Sequence, residues 1–499
     1  MEPVLQLRRL GLETQHEPIV LMHVDCPVAR SEGFAARARI ELVAEGRSAI
    51  ATLYQVRDDI VGPHEIGMSD AVWARLGVPD GTPAVIRHPK PIGSMSFVRA
   101  KLYGHRLEPV RIRTIIEDIV RERYSDVELA AFVSAFSSQP PDRSEMVALT
   151  RAMVEVGDRL SWPGATVLDK HSVGGLPANR TTPLIVPIVA AAGLVMPKTS
   201  SRAITSPAGT ADAMETMAPV DLGVARMRRV VDQEGGCIVW GGSVSLSPAD
   251  DILIRVERAL DIDSPAQLVA SVLSKKIAAG ATHVLLDLPV GPTAKVRTEA
   301  EGIDLSGHLE AVGAEFGLIV EPVQTDGRQP VGRGIGPALE ARDVLSVLRR
   351  EGNAPADLKA RACLLAGRLL ELGAAAPEGQ GEAHAAAILE DGRALRKFMA
   401  ICEAQGGFTE PPAAPLRHEI RASTAGRVRE IDNRELARIA KLAGAPAAKA
   451  AGIDTHVKLG EEVEKGQPLF TIHAEAPGEL DYALAYALAN PNVIDVRAK

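Results

Sequence analysis

The sequence predicts a multidomain α/β protein. Three observations carry this. At 499 residues the chain is too long for one compact core, so about three or four domains are expected. Its hydrophobic periodicity changes along the way: strand-like alternation, then helical spacing, then strands feeding polar glycine-bearing loops, then strands again. The composition, 46% apolar and 24% charged, is that of an ordinary globular protein.

The first segment is β-rich. Ala38 to Val43 and Ser48 to Val56 alternate about the turn-forming Glu45-Gly46. Ile66-Gly67-Met68-Ser69 leads to a helix through Leu76, with Ser69 as its expected N-cap, and Asp80-Gly81 leads to a short strand. This order resembles half of a double-psi β-barrel, for which a structural role is the first expectation. His88 to Gly93, with two prolines, reads as a linker.

From Phe97 to Arg159 the spacing is helical. Ile112, Ile115, Ile116, Ile119 and Val120 share one face, as do Leu129, Phe132, Val133 and Phe136. Ser137 to Arg143 interrupts the pattern and Glu145 to Leu160 resumes it. An apolar strand, Ala165 to Leu168, then feeds a polar loop, and Val284 to Leu288 feeds Pro289 to Lys295 in the same order. Open α/β sheets bind ligands at strand C-termini, so both loops are candidates. Ala356 to Gly406 is helical, with Gly373 to Glu382 expected as a surface loop. After Pro411-Pro412, Arg421 to Ile431 and Thr455 to His473 read as strands of a separate C-terminal β-rich domain, expected to serve packing or dimerisation.

The net charge of −8 argues against a nucleic-acid surface but not against a small anionic ligand. Cys26, Cys237, Cys363 and Cys402 show no paired spacing, which suits a reducing compartment and gives no zinc site. Glu2, Arg8, Arg9 and Glu13 break any signal-peptide pattern. The longest apolar run, Leu184 to Met196, contains Pro187 and is shorter than the roughly 20 residues a bilayer requires, so it reads as a buried helix. Cytoplasm is the expected location, with no membrane or nucleic-acid partner.

The chemistry concentrates in two loops. Asp169-Lys170-His171-Ser172-Val173-Gly174-Gly175 follows a strand and precedes a helix beginning near Thr182. Gly174 and Gly175 let backbone N–H groups approach an anion, Lys170 supplies charge and Ser172 a hydroxyl. The G-x-x-x-x-G-K-[ST] spacing of a P-loop is absent. The second loop, Lys198 to Thr210, packs six hydroxyls, an arginine and a lysine. Such donors are costly to bury unsatisfied, so they point to solvent or a bound anion, although Asp212 can simply cap the next helix. Neither loop has a metal-ligand pattern, and phosphate as a reactant is favoured.

These loops resemble the signatures of the thymidine and pyrimidine-nucleoside phosphorylases. The D-K-H-S-x-G-G core is shared across that family. S-S-R-A-I-T-S-P-A-G-T-A-D is similar to its longer branch, which includes AMP phosphorylases, as is the N-terminal extension. The similarity is distinctive from about Ile112 to Lys295 and weaker through Gly332-Arg333-Gly334-Ile335-Gly336 to the end. It implies a helical domain (94–160 and 250–279) facing an α/β domain (161–249 and 280–412) across a cleft, with an N-terminal barrel-like domain (1–88) and a C-terminal β-rich domain (418–499). It implies that Lys170, Ser172, Ser200 and Thr210, with backbone at Gly174 and Gly175, hold phosphate. Ser201, Arg202, Ala203, Ile204, Thr205 and Ser206 would line the sugar or nucleotide side. Ser271 and Lys275, four apart on one helical face, would read the base, and Lys295 lies in a matching strand-end loop.

The resemblance also implies a reaction, in which inorganic phosphate splits the glycosidic bond of a nucleoside with no cofactor or metal, in a homodimer. Asp263 is the candidate acid for the leaving base, with His171 the second candidate or a structural histidine. Two departures bear on specificity. Ser206 stands where the shorter branch carries a histidine, and the base-contacting arginine has no clear counterpart. Thymidine is the leading substrate, with AMP or another nucleoside 5′-monophosphate as the alternative. Two further readings are an anthranilate phosphoribosyltransferase-like enzyme, whose acidic metal ligands the second loop lacks, and a non-catalytic nucleotide-binding module.

Overall fold

The computed structural model describes residues 4–174, 176–203, 206–260, 262 and 264–497, without the side chain of Arg258. The chain forms two compact units, Met1–Ser96 with Asp118–Glu128, and Phe97–Glu117 with Leu129–Lys499.

In the first unit the alternating segments become strands of a barrel. β1 (Val4–Leu12), β2 (Ile19–His23), β3 (Arg39–Ala44), β4 (Arg47–Val56), β5 (Glu65–Ser69) and β6 (Pro83–Arg87) close in the order β1-β5-β2-β4-β3-β6. Alternate residues such as Leu5, Leu7, Ile40, Leu42, Ala51 and Leu53 fill the interior. Glu45 and Gly46 both have positive φ, +50° and +77°, as a two-residue turn matched to strand twist requires. Short helices α1 (Pro27–Ser31) and α2 (Asp70–Leu76) flank the strands. Ser69 stands at the N-cap of α2 without capping it; its hydroxyl accepts from Ile19 N at 3.2 Å.

Four helices follow: α3 (Met95–Leu102), α4 (Pro109–Val120), α5 (Asp126–Ser138) and α6 (Arg143–Glu155). Asp142 and Glu145 form a capping box at the start of α6. Buried Glu145 also pairs with Lys101 at 2.7 Å.

The larger unit is built on parallel strands β7 (Leu168–Ser172), β8 (Met196–Ser200), β9 (Gly236–Trp240), β10 (His283–Val290) and β11 (Ile319–Asp326). They run in the orders β11-β10-β7 and β8-β9, joined by a parallel bridge between Val167 and Val195. The helices between and after them are α7 (Thr182–Ala191), α8 (Thr210–Glu215), α9 (Val224–Glu234), α10 (Pro248–Leu260), α11 (Pro265–Ala278), α12 (Glu299–Ala314), α13 (Pro337–Arg349), α14 (Ala356–Leu372), α15 (Gly381–Glu390) and α16 (Arg393–Gln405). Leu168 and Leu285 pack with Ile185, Val344, Leu365 and Phe398 of α7, α13, α14 and α16. On the other face, Val284, Leu286 and Leu288 pack with Val269 and Leu273 of α11, Leu309 of α12 and Met146 of α6.

Three expectations are corrected. The strand read at Ala165 to Leu168 is displaced, so that four residues of the supposed polar loop lie in β7. The apolar run from Leu184 is helical only to Ala191; Gly193, at φ +85°, turns the chain, and Met196 opens β8. Gly373 to Glu382 is not simply surface, because Ala376 is buried in the main core and α15 begins at Gly381.

The C-terminal strands form two antiparallel sheets. β12 (Gly334–Ile335), β13 (Leu416–Arg421), β15 (Gly452–Thr455) and β17 (Pro468–Ala474) run in the order β12-β15-β17-β13. β14 (Gly426–Ile431), β16 (Glu462–Val463) and β18 (Ile494–Arg497) run β16-β14-β18, with helices α17 (Asn433–Leu442) and α18 (Pro477–Ala489). Their core also takes in Ala178, from the loop after β7.

Candidate functional site

Parallel strands place all their C-terminal ends on one edge of a sheet, and that edge gathers the loops singled out by sequence. Ser172 ends β7, Ser200 ends β8 and Val290 ends β10. Because residues 169–172 are strand rather than loop, their side chains alternate between faces. Lys170 and Ser172 pair in register with Leu285 and Asp287; Asp169 and His171 pair with Val284 and Leu286.

On the first face the chemistry centres on Asp287, which is fully buried. Its Oδ2 accepts from Ser172 Oγ at 2.6 Å and from Asn179 Nδ2 at 3.0 Å, and its Oδ1 accepts from Thr325 Oγ1 at 2.6 Å. Lys170 Nζ lies 3.6 Å from the same carboxylate and donates to Thr181 Oγ1 at 2.9 Å. Burial outweighs the nearby carboxylate and lowers Lys170 to about 8. The charges of Lys170 and Arg361 and the hydroxyl donors keep Asp287 ionised despite burial.

The hydroxyl protons can be assigned by elimination. Ser172 gives its proton to Asp287 and accepts from Asn179. Thr181 accepts from the Lys170 ammonium, which has no acceptor lone pair, so its own proton is left to donate. Thr210 accepts from Arg180 Nη1 at 2.7 Å, with the same consequence. Ser200 Oγ is buried with no hydrogen-bond partner among the described residues.

On the second face, Asp169 accepts from Lys198 Nζ at 3.1 Å and lies 2.8 Å from Lys276 Nζ. All three are buried, so two lysines share one carboxylate. Burial lowers Lys276 to about 7, while the two ammonium groups hold Asp169 below the usual carboxylate range. His171 lies on this face. Burial and the charges of Lys276, Lys198, Lys275 and Lys170 push its titration well below that of free histidine. It is therefore a neutral imidazole near pH 7, not the imidazolium expected of a charged acid.

The second loop is braced by carboxylates. Asp212 Oδ2 accepts from Ala203 N at 2.6 Å and Gly209 N at 2.7 Å. Gly209 must lack a side chain, since a Cβ would sit 2.5 Å from Ser201 O and from Arg202 C. Arg202 forms two bonds to Glu215, at 2.9 and 2.8 Å, touches Asp212 at 3.3 Å and lies over the Trp240 ring. It borders a recess of about 260 Å³ with Glu215, Pro337 and Lys449. Ser206 Oγ donates to Ala208 O at 2.9 Å, and Ser201 is exposed.

Ser271 and Lys275 both lie on α11, whose Lys276 reaches Asp169. Lys275 Nζ pairs with Asp250 at 2.5 Å. Lys295 is exposed on the turn after β10, next to Thr293, whose hydroxyl accepts from Asn433 Nδ2 at 3.0 Å. Asp263, Gly175, Ile204 and Thr205 lie outside the described residues, and Gly174 lies two residues beyond Ser172, the last residue of β7. Asp287, Asn179, Arg180 and Thr181 were not picked out from sequence. A lone aspartate inside Val284 to Leu288 was the available signal.

Family models match in three places: a glycosyl transferase family helical bundle domain over residues 95–157, its a/b domain over 164–395, and a pyrimidine nucleoside phosphorylase C-terminal domain over 427–492. Proteins carrying the name "Putative thymidine phosphorylase" are similar over nearly the whole chain. The one from Polaromonas sp. (strain JS666 / ATCC BAA-500) is 61% identical over 99% of this chain and 96% of its own length. The one from Chelativorans sp. (strain BNC1) is 56% identical over 100% and 98%. Among solved structures, anthranilate phosphoribosyltransferase from Thermus thermophilus shares the fold, with a TM-score of 0.51 at 20% identity, over 62% of this chain and 98% of that one. Full-length identity above half, with all three family models in order, makes this chain a member of the thymidine and pyrimidine-nucleoside phosphorylase family and an enzyme of the pentosyltransferase class.

Proposed function

We propose that the enzyme uses inorganic phosphate to cleave the glycosidic bond of a pyrimidine nucleoside, thymidine foremost, giving the free base and 2-deoxyribose 1-phosphate. The observation that carries this is the set of donors on β7, β8 and the loops that follow them: the Lys170 ammonium and the hydroxyls of Thr181, Ser200 and Thr210, each with a proton left to give. Phosphate, with several charged acceptor oxygens, suits such a set of donors. Ser172, read from sequence as a direct donor, instead serves through Asp287, which orients it and Lys170.

In this reading a phosphate oxygen attacks C1′, the C1′–N bond breaks with its electrons going to the base, and the base leaves protonated. Held phosphate makes the attack effectively intramolecular. Ser271 and Lys275 on α11 address the base, and Lys276, reaching Asp169, ties that helix to the phosphate strand. His171, as a neutral imidazole, donates one hydrogen bond toward the base; Asp263 remains the proposed proton donor. Phosphate is a co-substrate with no cofactor, and a cytoplasmic homodimer completes the proposal.

Two things favour a nucleoside over a 5′-monophosphate. The relatives carry the thymidine phosphorylase name, and Arg202, the group a 5′-phosphate would need, is already held by Glu215 and Asp212. The test is release of free base from thymidine, uridine, cytidine, AMP and CMP, with and without phosphate. Release that saturates with phosphate and is fastest on thymidine supports the proposal. Release independent of phosphate, or fastest on AMP, rejects it.

A further inference from the structure

Arg180 lies in the loop between β7 and α7, and its guanidinium faces three ways. Nη1 donates to Thr210 Oγ1 at 2.7 Å, Nη2 donates to Ala208 O at 2.9 Å, and Nε donates to Glu340 Oε2 at 2.6 Å. Glu340 belongs to the first turn of α13 and is fully buried, and its other oxygen accepts from Gly336 N at 3.3 Å. The arginine is thus anchored from behind by a carboxylate that cannot move without opening the core.

We infer that Arg180 is a positioning residue for phosphate, holding the second donor loop so that the Thr210 proton points at the bound anion. A guanidinium only donates, so the direction of its bond to Thr210 is fixed. That bond occupies a lone pair of the threonine oxygen and leaves its single proton for another acceptor. The bond to Ala208 O fixes the backbone two residues earlier, so the loop and the hydroxyl are set together. Arginine suits the task because Nε, Nη1 and Nη2 are separate nitrogens fixed in one plane, whereas the three N–H groups of a lysine share one nitrogen on a flexible stem. This inference rests on the phosphorolysis reading.

The test measures KM for phosphate, KM for thymidine and kcat in Arg180→Lys, Arg180→Met, Thr210→Val and the Arg180→Met/Thr210→Val double variant. Loss of one charge-assisted hydrogen bond corresponds to ~10-fold or more, so Arg180→Met and Thr210→Val should each raise phosphate KM by about that factor. KM for thymidine should stay within about twofold. The double variant should be little worse than either single one, because both remove the same aimed proton. Arg180→Lys keeps a charge beside Glu340 and serves if the methionine variant does not fold; it should still raise phosphate KM severalfold. Multiplicative losses, an equal rise in both KM values, or an Arg180→Lys enzyme identical to wild type would overturn the assignment. Wild-type base release that ignores phosphate would overturn the reading beneath it as well.

Discussion

Replacing Asp169 by asparagine removes the one carboxylate shared by two buried lysines, Lys198 at 3.1 Å and Lys276 at 2.8 Å. Taking one partner from a buried ion pair costs about 3–5 kcal/mol, because the remaining charge is stranded. Here the cost depends on pH. Lys276 already titrates at about 7 in the folded protein, lowered chiefly by burial, against about 10.4 unfolded. A lysine with a lowered folded value binds more protons unfolded than folded, so its contribution to stability rises with pH. Asp169→Asn also removes the carboxylate that raises Lys276, so in the folded variant Lys276 takes its proton only at a pH lower still. The deficit should therefore grow as pH falls from 9 through 7 to 5, by up to about 1.4 kcal/mol per pH unit below 7. Urea unfolding followed by tryptophan fluorescence at pH 5, 7 and 9 checks this. A deficit that does not grow between pH 9 and pH 5 would refute the account of the cluster.

Two further outcomes follow from the same site. KM for phosphate should rise as pH passes about 8, where Lys170 loses the proton that attracts the anion, and Lys170→Met should abolish that limb while lowering turnover by about 10²–10³. Initial rates across pH 6 to 9.5 read both. Arg202→Ala should lower activity on thymidine and AMP in the same proportion, as for a loop brace held by Glu215; a loss confined to AMP would restore the nucleotide reading.

Much of this was legible in the residues. The barrel hairpin followed from alternation around Glu45-Gly46, and both donor loops from their glycines, hydroxyls and cations. What was missed came from register and long-range contact. Asp169 to Ser172 is polar enough to read as loop, yet three of its four side chains find a buried partner: Lys170 and Ser172 at Asp287, 115 residues from Ser172, and Asp169 at Lys276. Local sequence cannot show a ladder to β10, and that ladder sends Lys170 and His171 to opposite faces. The C-terminal domain was expected to pack, and it packs on loops of the site, with Ala178 in its core and Asn433 holding Thr293. Ala178 adopts φ +68°, a left-handed conformation that costs about 1–2 kcal/mol for a residue with a side chain, so that packing offsets strain in the loop carrying Arg180 and Thr181.

The central claim is that phosphate itself becomes bonded to the sugar. ³¹P NMR of the enzyme with thymidine and inorganic phosphate observes this directly. The account predicts that the inorganic phosphate signal declines as a sugar 1-phosphate signal grows, one equivalent for each thymine released. Thymine appearing with the phosphate signal unchanged would mean hydrolysis by water, and would contradict the account.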